Sequence, residues 1–243
     1  MSLNTANTPD GKGVLIYNGE AILLYTRAVN MSFNHGSATA LKGKKSGALY
    51  LTSHRMIFVS QMNDGMRSFS MPFFALRDVT LEQPILSPNY LKGNIQAQPG
   101  GNFDGEVTWK LSFPKGGCID FGQALLQAAD MAQRYRPFDA PPSYAPAPGN
   151  YNAAPPGYVI PPNTNYYGFT APTHVFPEQP PAGEVYMYES PPPYPGIAAS
   201  PAHPGRAITS TGLARLYRNS VGHRFHSPPH LFDSDHNTRI RFP

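Results

Sequence analysis

Gly47-Ala48-Leu49-Tyr50-Leu51-Thr52-Ser53-His54-Arg55-Met56-Ile57-Phe58-Val59-Ser60 is a pair of apolar runs around a short polar connection. Each run is six residues long and is built from aliphatic, aromatic and β-branched side chains, which suits a strand better than a helix. The pair reads as a hairpin turning at Ser53-His54. The neighbouring sequence repeats this texture. Val14-Leu15-Ile16-Tyr17 meets Asn18-Gly19, a strong tight-turn dipeptide, and Glu20–Tyr25 is the next apolar run. Val29–Phe33 alternates with period two. Met62-Asn63-Asp64-Gly65 marks another turn, and Met66–Met71 alternates again up to Pro72. Val79–Glu82 and Lys92–Gln98 are further strand signals, and Glu106–Phe113 alternates through Val107, Trp109, Leu111 and Phe113.

The period changes after Gly117. Phe121, Leu125, Ala128, Ala132 and Tyr135 fall at spacings of four, three, four and three, which is one face of a helix. Asp120 near its start and Arg134 and Arg136 at its end complement the helix dipole, and Pro137 stops it. The expectation is a mainly β domain, a small antiparallel sandwich or barrel of about seven short strands. One amphipathic C-terminal helix covers its open end.

Composition divides the chain there. Of 28 prolines in 243 residues, only six lie before Pro137. The remaining 22 fall in the last 107 residues, too proline-rich a stretch to bury a core of its own. Three segments follow: a folded domain over 10–136, a disordered proline-rich segment over 137–202, and a disordered tail over 203–243. Charge follows the same divisions. Residues 1–136 hold 13 Lys/Arg and nine Asp/Glu, residues 137–202 hold four acids and no Lys or Arg, and residues 203–243 hold six Arg, two Asp and five His. The tail has no run of five basic residues, and no dense basic stripe of the kind phosphate neutralisation needs is present, so direct nucleic-acid binding is not expected. A single cysteine, Cys118, excludes an internal disulfide or a Cys-rich zinc module and points to an intracellular setting. No apolar run is long enough to cross a membrane as a helix, and Met1–Thr8 lacks an apolar signal core.

The hairpin also carries a resemblance. Gly47, Leu49, Leu51, Thr52, Arg55 and Phe58 fit the G-x-L-x-L-T-x-x-R-x-x-F signature of GRAM domains, which implies a pleckstrin-homology-like fold. Phe69-Ser70-Met71-Pro72-Phe73, Tyr90-Leu91-Lys92-Gly93 and Gly117-Cys118-Ile119-Asp120-Phe121-Gly122-Gln123 resemble the WW domain-binding protein 2 family, which includes a sperm postacrosomal sheath relative. The similarity spans roughly residues 10–135 and implies a domain that is not an enzyme. The Arg- and His-containing residues 203–243 depart from the Pro/Tyr-rich tails of that family.

Behind the domain stand three P-P-x-Y motifs: Pro141-Pro142-Ser143-Tyr144, Pro155-Pro156-Gly157-Tyr158 and Pro191-Pro192-Pro193-Tyr194. Consecutive prolines favour polyproline II, which docks with little loss of entropy on an aromatic-lined groove such as a WW domain offers. The tyrosine adds an apolar ring with a polar tip for a neighbouring pocket. The Pro161-Pro162 and Pro228-Pro229 pairs lack that tyrosine and are not counted. The three tyrosines are 14 and 36 residues apart. For a flexible chain those are spans of roughly 20 and 33 Å, within reach of a partner with two WW domains.

The remaining chemistry is sparse. Lys42, Lys44 and Lys45 form a basic loop that in a pleckstrin-like fold is a candidate for a phosphoinositide headgroup, weighed against an ordinary solvated loop. Cys118 reads as a packed side chain rather than a nucleophile, the histidines show no metal spacing, and no cofactor motif appears. The functional expectation is a non-enzymatic adaptor that binds WW domains through Tyr144, Tyr158 and Tyr194 and the prolines before them. The resemblance implies Yes-associated-type coactivators and HECT-type ubiquitin ligases as partners. It also implies a transcription-coactivator or chromatin-associated role in nucleus and cytoplasm. Alternatives are a phosphoinositide- or membrane-directed adaptor and a sperm-head egg-activation signalling role.

Overall fold

The computed structural model describes residues 1–134 apart from 12, 35–38 and 63, residues 150–197 apart from 156, 191, 193 and 195, and the backbone of 238–241. All of these fall within one unit. In chain order the strands are β1 (Ser2–Leu3), β2 (Val14–Tyr17), β3 (Ile22–Asn34), β4 (Lys45–Thr52), β5 (Arg55–Ser60), β6 (Ser68–Pro72), β7 (Leu76–Gln83), β8 (Tyr90–Gln96) and β9 (Glu106–Ser112). Helix α1 (Cys118–Arg134) follows, then the short strands β10 (Tyr151–Ala153), β11 (Asn165–Tyr166), β12 (Phe169–Thr170), β13 (Val185–Tyr188) and β14 (Thr238–Arg241).

The main sheet is antiparallel, in the order β1-β6-β5-β4-β3-β9-β8-β7-β14. The expected hairpin is β4–β5, with Leu49 opposite Phe58, Tyr50 opposite Ile57 and Leu51 opposite Met56. Gly47 permits its closest approach: a Cβ there would lie 2.1 Å from the Val59 carbonyl oxygen. Two runs read separately, Glu20–Tyr25 from Ile22 onward and Val29–Phe33, belong to the single 13-residue strand β3. A bulge between Thr26 and Val29, with Ala28 at φ 59°, bends the strand without ending it, so β3 pairs with both β4 and β9.

Both faces of the hairpin are buried. Leu49, Leu51, Met56 and Phe58 point into the main core with Phe69, Trp109 and Leu111, and Phe121, Leu125, Ala128 and Ala132 of α1 close it. These are four of the five residues expected on the helix's apolar face. Tyr135, Arg136 and Pro137 lie outside the described residues. The alternate side chains of the hairpin, Ala48, Tyr50, Ile57 and Val59, pack on the opposite face with Ile22 and Tyr25. That is why these strands read as continuous apolar runs rather than alternating ones.

The second face is covered by β2 and by the proline-rich segment. The Asn18-Gly19 turn forms, with the Glu20 N–H donating to the Tyr17 carbonyl at 3.0 Å. The strands on either side of it do not pair with each other. Instead β2 lies over the face, inserting Val14 and Ile16, and pairs in parallel with β13, which brings Val185. β10 extends this layer on the other side of β13. Residues 150–197 thus differ from the disordered segment expected over 137–202. Composition denies this segment a core of its own, but an already folded apolar face supplies one, and β2 supplies the hydrogen-bonding edge. Residues 203–243, apart from the backbone of 238–241, lie outside the described residues. No helix among the described residues is long and apolar enough to cross a membrane.

Candidate functional site

The signature arginine sets the site. Arg55 is 1% exposed and Glu20 is 2% exposed. The Arg55 Nε and Nη2 donate to the two Glu20 carboxylate oxygens at 2.9 Å each. The same guanidinium donates to the Leu15 carbonyl of β2 and to the Ser70 hydroxyl of β6, each at 3.0 Å. Glu20 also accepts the Tyr17 N–H at 2.9 Å and the Thr52 hydroxyl at 2.5 Å. Burial alone would discharge both groups. The Arg55 charge outweighs it and holds the Glu20 carboxyl below its ordinary pKa, while Glu20 keeps the guanidinium charged. Both carboxylate oxygens and all three guanidinium nitrogens have hydrogen-bond partners, the condition under which a buried pair is tolerated.

This ion pair forms the floor of an aromatic seat. The guanidinium carbon lies 4.7 Å from the Tyr17 ring centroid and 5.9 Å from that of Tyr194, the last residue of the third motif. Tyr17 meets Tyr194 edge-on at 6.0 Å, Phe74 at 6.0 Å and His54 at 6.3 Å complete the wall, and Tyr188 of β13 packs on Tyr17 at 5.4 Å. Tyr194 is 4% exposed. Gly196 and Ile197 are held too. The Ile197 N–H donates to the Ser53 carbonyl at 2.7 Å, and the Ile197 side chain enters the main core. Gly196 lies flat on the imidazole, where a Cβ would come within 2.3 Å of the His54 ring.

The other expected site residues fall differently. Tyr158 is half-buried against the second face, its carbonyl accepting the Ile22 N–H at 2.7 Å, and Pro155 before it is exposed. Pro192 is half-buried. Pro141, Pro142, Tyr144, Pro156 and Pro191 lie outside the described residues. The lysine loop is only partly as expected. Lys42 and Lys44 are exposed, but Lys45 is buried in β4 with its ammonium paired to Asp64, so it does not face a headgroup. Cys118 is packed at the start of α1, and burial pushes its thiol up to about 11, the opposite of an activated nucleophile. Among the described residues no group of three His, Cys, Asp or Glu could hold a metal ion.

Sequence reasoning named Arg55 as part of a signature and missed the seat around it. One signal was present. Glu20 opens one apolar run and Arg55 opens another, and a lone carboxylate and a lone guanidinium in such places are candidates for a buried pair. Tyr17, Phe74 and His54 carried no signal, because they meet only in the fold.

Residues 18–131 match the family model described as the GRAM domain. The chain is 40% identical over 164 residues to the postacrosomal sheath WW domain-binding protein of Bos taurus, covering 66% of this chain and 52% of that one. It is 43% identical over 136 residues to WW domain-binding protein 2 of Homo sapiens, covering 55% and 52%. It is 30% identical over 119 residues to a UPF0664 stress-induced protein of Schizosaccharomyces pombe, covering 46% and 68%. The chain spans about half the length of the two WW domain-binding proteins. Among solved structures, the Vps36 N-terminal PH domain aligns with a TM-score of 0.41 at 18% identity, over 53% of this chain and 93% of that one.

Proposed function

The chain belongs to the WW domain-binding protein 2 family of GRAM-domain proteins, and from that premise we propose that it is a non-enzymatic adaptor presenting P-P-x-Y ligands to WW domains. The observation that carries this reading is the set of three such motifs within 54 residues, directly behind the GRAM domain. Relatives named for WW-domain binding support it. The partners proposed are WW-containing coactivators of the Yes-associated type and HECT-type ubiquitin ligases, with a transcription-coactivator role in nucleus and cytoplasm. A membrane-directed role through the lysine loop is the weaker reading, since Lys45 is committed to Asp64.

Individual P-P-x-Y sites of this kind bind at about micromolar strength, and a tandem-WW partner gains roughly a further hundredfold by engaging two. The test is a titration of a tandem-WW protein against the full chain and against the Tyr144→Ala, Tyr158→Ala, Tyr194→Ala triple variant. Saturable binding lost in the triple variant is the expected result. Undiminished binding by the triple variant would discard the reading.

A further inference from the structure

Of the two motif tyrosines the structure describes, that of the third motif is the more enclosed, and its own domain encloses it. The Tyr194 ring sits among Tyr17, Phe74, His54 and the Arg55 guanidinium. A WW domain requires the same ring in its own pocket, and one ring cannot occupy two pockets. The neighbouring backbone is equally committed, through the hydrogen bond from Ile197 to Ser53 and the close seating of Gly196 on His54. The second motif is more open, with Pro155 exposed and Tyr158 half-buried.

We propose that the GRAM domain acts as an intramolecular competitor for its own third motif, so that a WW domain reaches Tyr194 only after Tyr194, Gly196 and Ile197 lift off the seat formed by Arg55, Tyr17, Phe74 and His54. The proposal rests on the WW-binding reading above and adds to it an order of use, with Tyr158 engaged before Tyr194. Tyr158 is the less protected of the two described tyrosines. The domain therefore reduces the apparent affinity of the third site by the fraction of time the segment is free. A segment docked in about ten molecules of eleven weakens that site about elevenfold.

The geometry supplies a variant that changes no residue of the motif or of the domain. Gly196 lies two residues beyond Tyr194, and a side chain there clashes with the His54 ring only in the docked state. The experiment titrates one recombinant WW domain into three samples by calorimetry. The first is a synthetic peptide of residues 186–199. The second is the full chain with Tyr144→Ala and Tyr158→Ala, which leaves only the third motif. The third is that chain with Gly196→Val added. The expected result is a full chain about tenfold weaker than the peptide, with Gly196→Val returning it to the peptide value. The same substitution in the peptide leaves its affinity unchanged. Ile197→Asp, which removes a different anchor, is expected to restore binding in the same way. Equal affinities for peptide and chain would overturn the proposal, and so would a weak chain that neither substitution rescues. A peptide bound by no WW domain would instead overturn the WW-binding reading of this motif, and the sequestration with it.

Discussion

Two coverings close one sheet, helix α1 over the main core and the segment 150–197 over the second face and part of the main core, and they work by different physics. Helix α1 satisfies its backbone internally and presents Phe121, Leu125, Ala128 and Ala132 along one face to the main core. The segment 150–197 has no such economy. Its strand β13 hydrogen-bonds to β2, with the Val14 N–H donating to the Glu184 carbonyl at 2.8 Å, and its apolar contacts are separate anchors. Val185 packs on the second face and Tyr194 beside Tyr17, while Phe169, Phe176 and Ile197 reach the main core, with proline-rich or exposed stretches between them. The helix is bound as a unit, because its turns rise and fall together. The extended segment can lose one anchor and keep the rest. A cover of the second kind can bury a sheet face and, on the proposal above, also be lifted for a partner.

Arg55 ties β2, β6 and the Tyr194 ring together, so its loss gives the largest effect. Arg55→Met leaves the Glu20 carboxylate buried beside Tyr17 without its cation, at a cost of about 3–5 kcal/mol. Denaturant unfolding is expected to show that loss. Adding Glu20→Met should recover most of the stability, because neither charge is then stranded. The Tyr194 seat should stay weakened in the double variant, since its cationic floor is gone. Equal stability of Arg55→Met and wild type would mean that the pair is not the common anchor.

The two coverings also differ in how far they were legible. The helix is written in the spacing of Phe121, Leu125, Ala128 and Ala132, a local pattern that needs no knowledge of the fold. The hairpin is legible for the same reason, and its unbroken apolar texture carried a further message. Ala48, Tyr50, Ile57 and Val59 had to face something other than water. What covers them could not be read locally. Val185-Tyr186-Met187-Tyr188 looks like part of a low-complexity stretch until β2 provides an edge in parallel register. Parallel pairing across some 170 residues leaves no turn signal in the sequence. The motif tyrosines were found by their chemistry, but their burial was not, because Tyr17, Phe74 and His54 converge only in three dimensions.

Val185→Asp separates the coverings directly. Val185 is 2% exposed on the second face, so a carboxylate there should detach β13 from β2. The expected loss is roughly 1.5–3 kcal/mol, the worth of one buried valine. Hydrogen exchange is the sharper measurement. The amides of Val14 and Asn18, which donate to Glu184 and Ser190, should exchange faster, while those in the middle of α1 keep their protection. Acceleration in both places would show one cooperative unit and erase the distinction drawn above.

The smallest effect is electrostatic and concerns His54, which touches the tail segment through Gly196 and Tyr194. Burial holds this imidazole below its ordinary pKa. Glu20 pulls it upward, Arg55 pushes it down, and the net direction is down. Its Nδ1 lies 2.8 Å from the Ser53 hydroxyl, and it is burial that makes the docked state favour the neutral ring. Lifting the segment lets water reach the ring, and its pKa then returns toward about 6.5. The sign follows from linkage. Docking has its full strength above that value and weakens as pH falls below it, because the released state takes up the proton more readily. The affinity gap between the 186–199 peptide and the chain with only its third motif should narrow on the order of two- to threefold from pH 7.5 to pH 5.8. His54→Gln keeps a side chain of similar size without the titration, so its gap should stay constant over that range. A gap that narrows equally in both chains would assign the pH response to another group and leave His54 as packing alone.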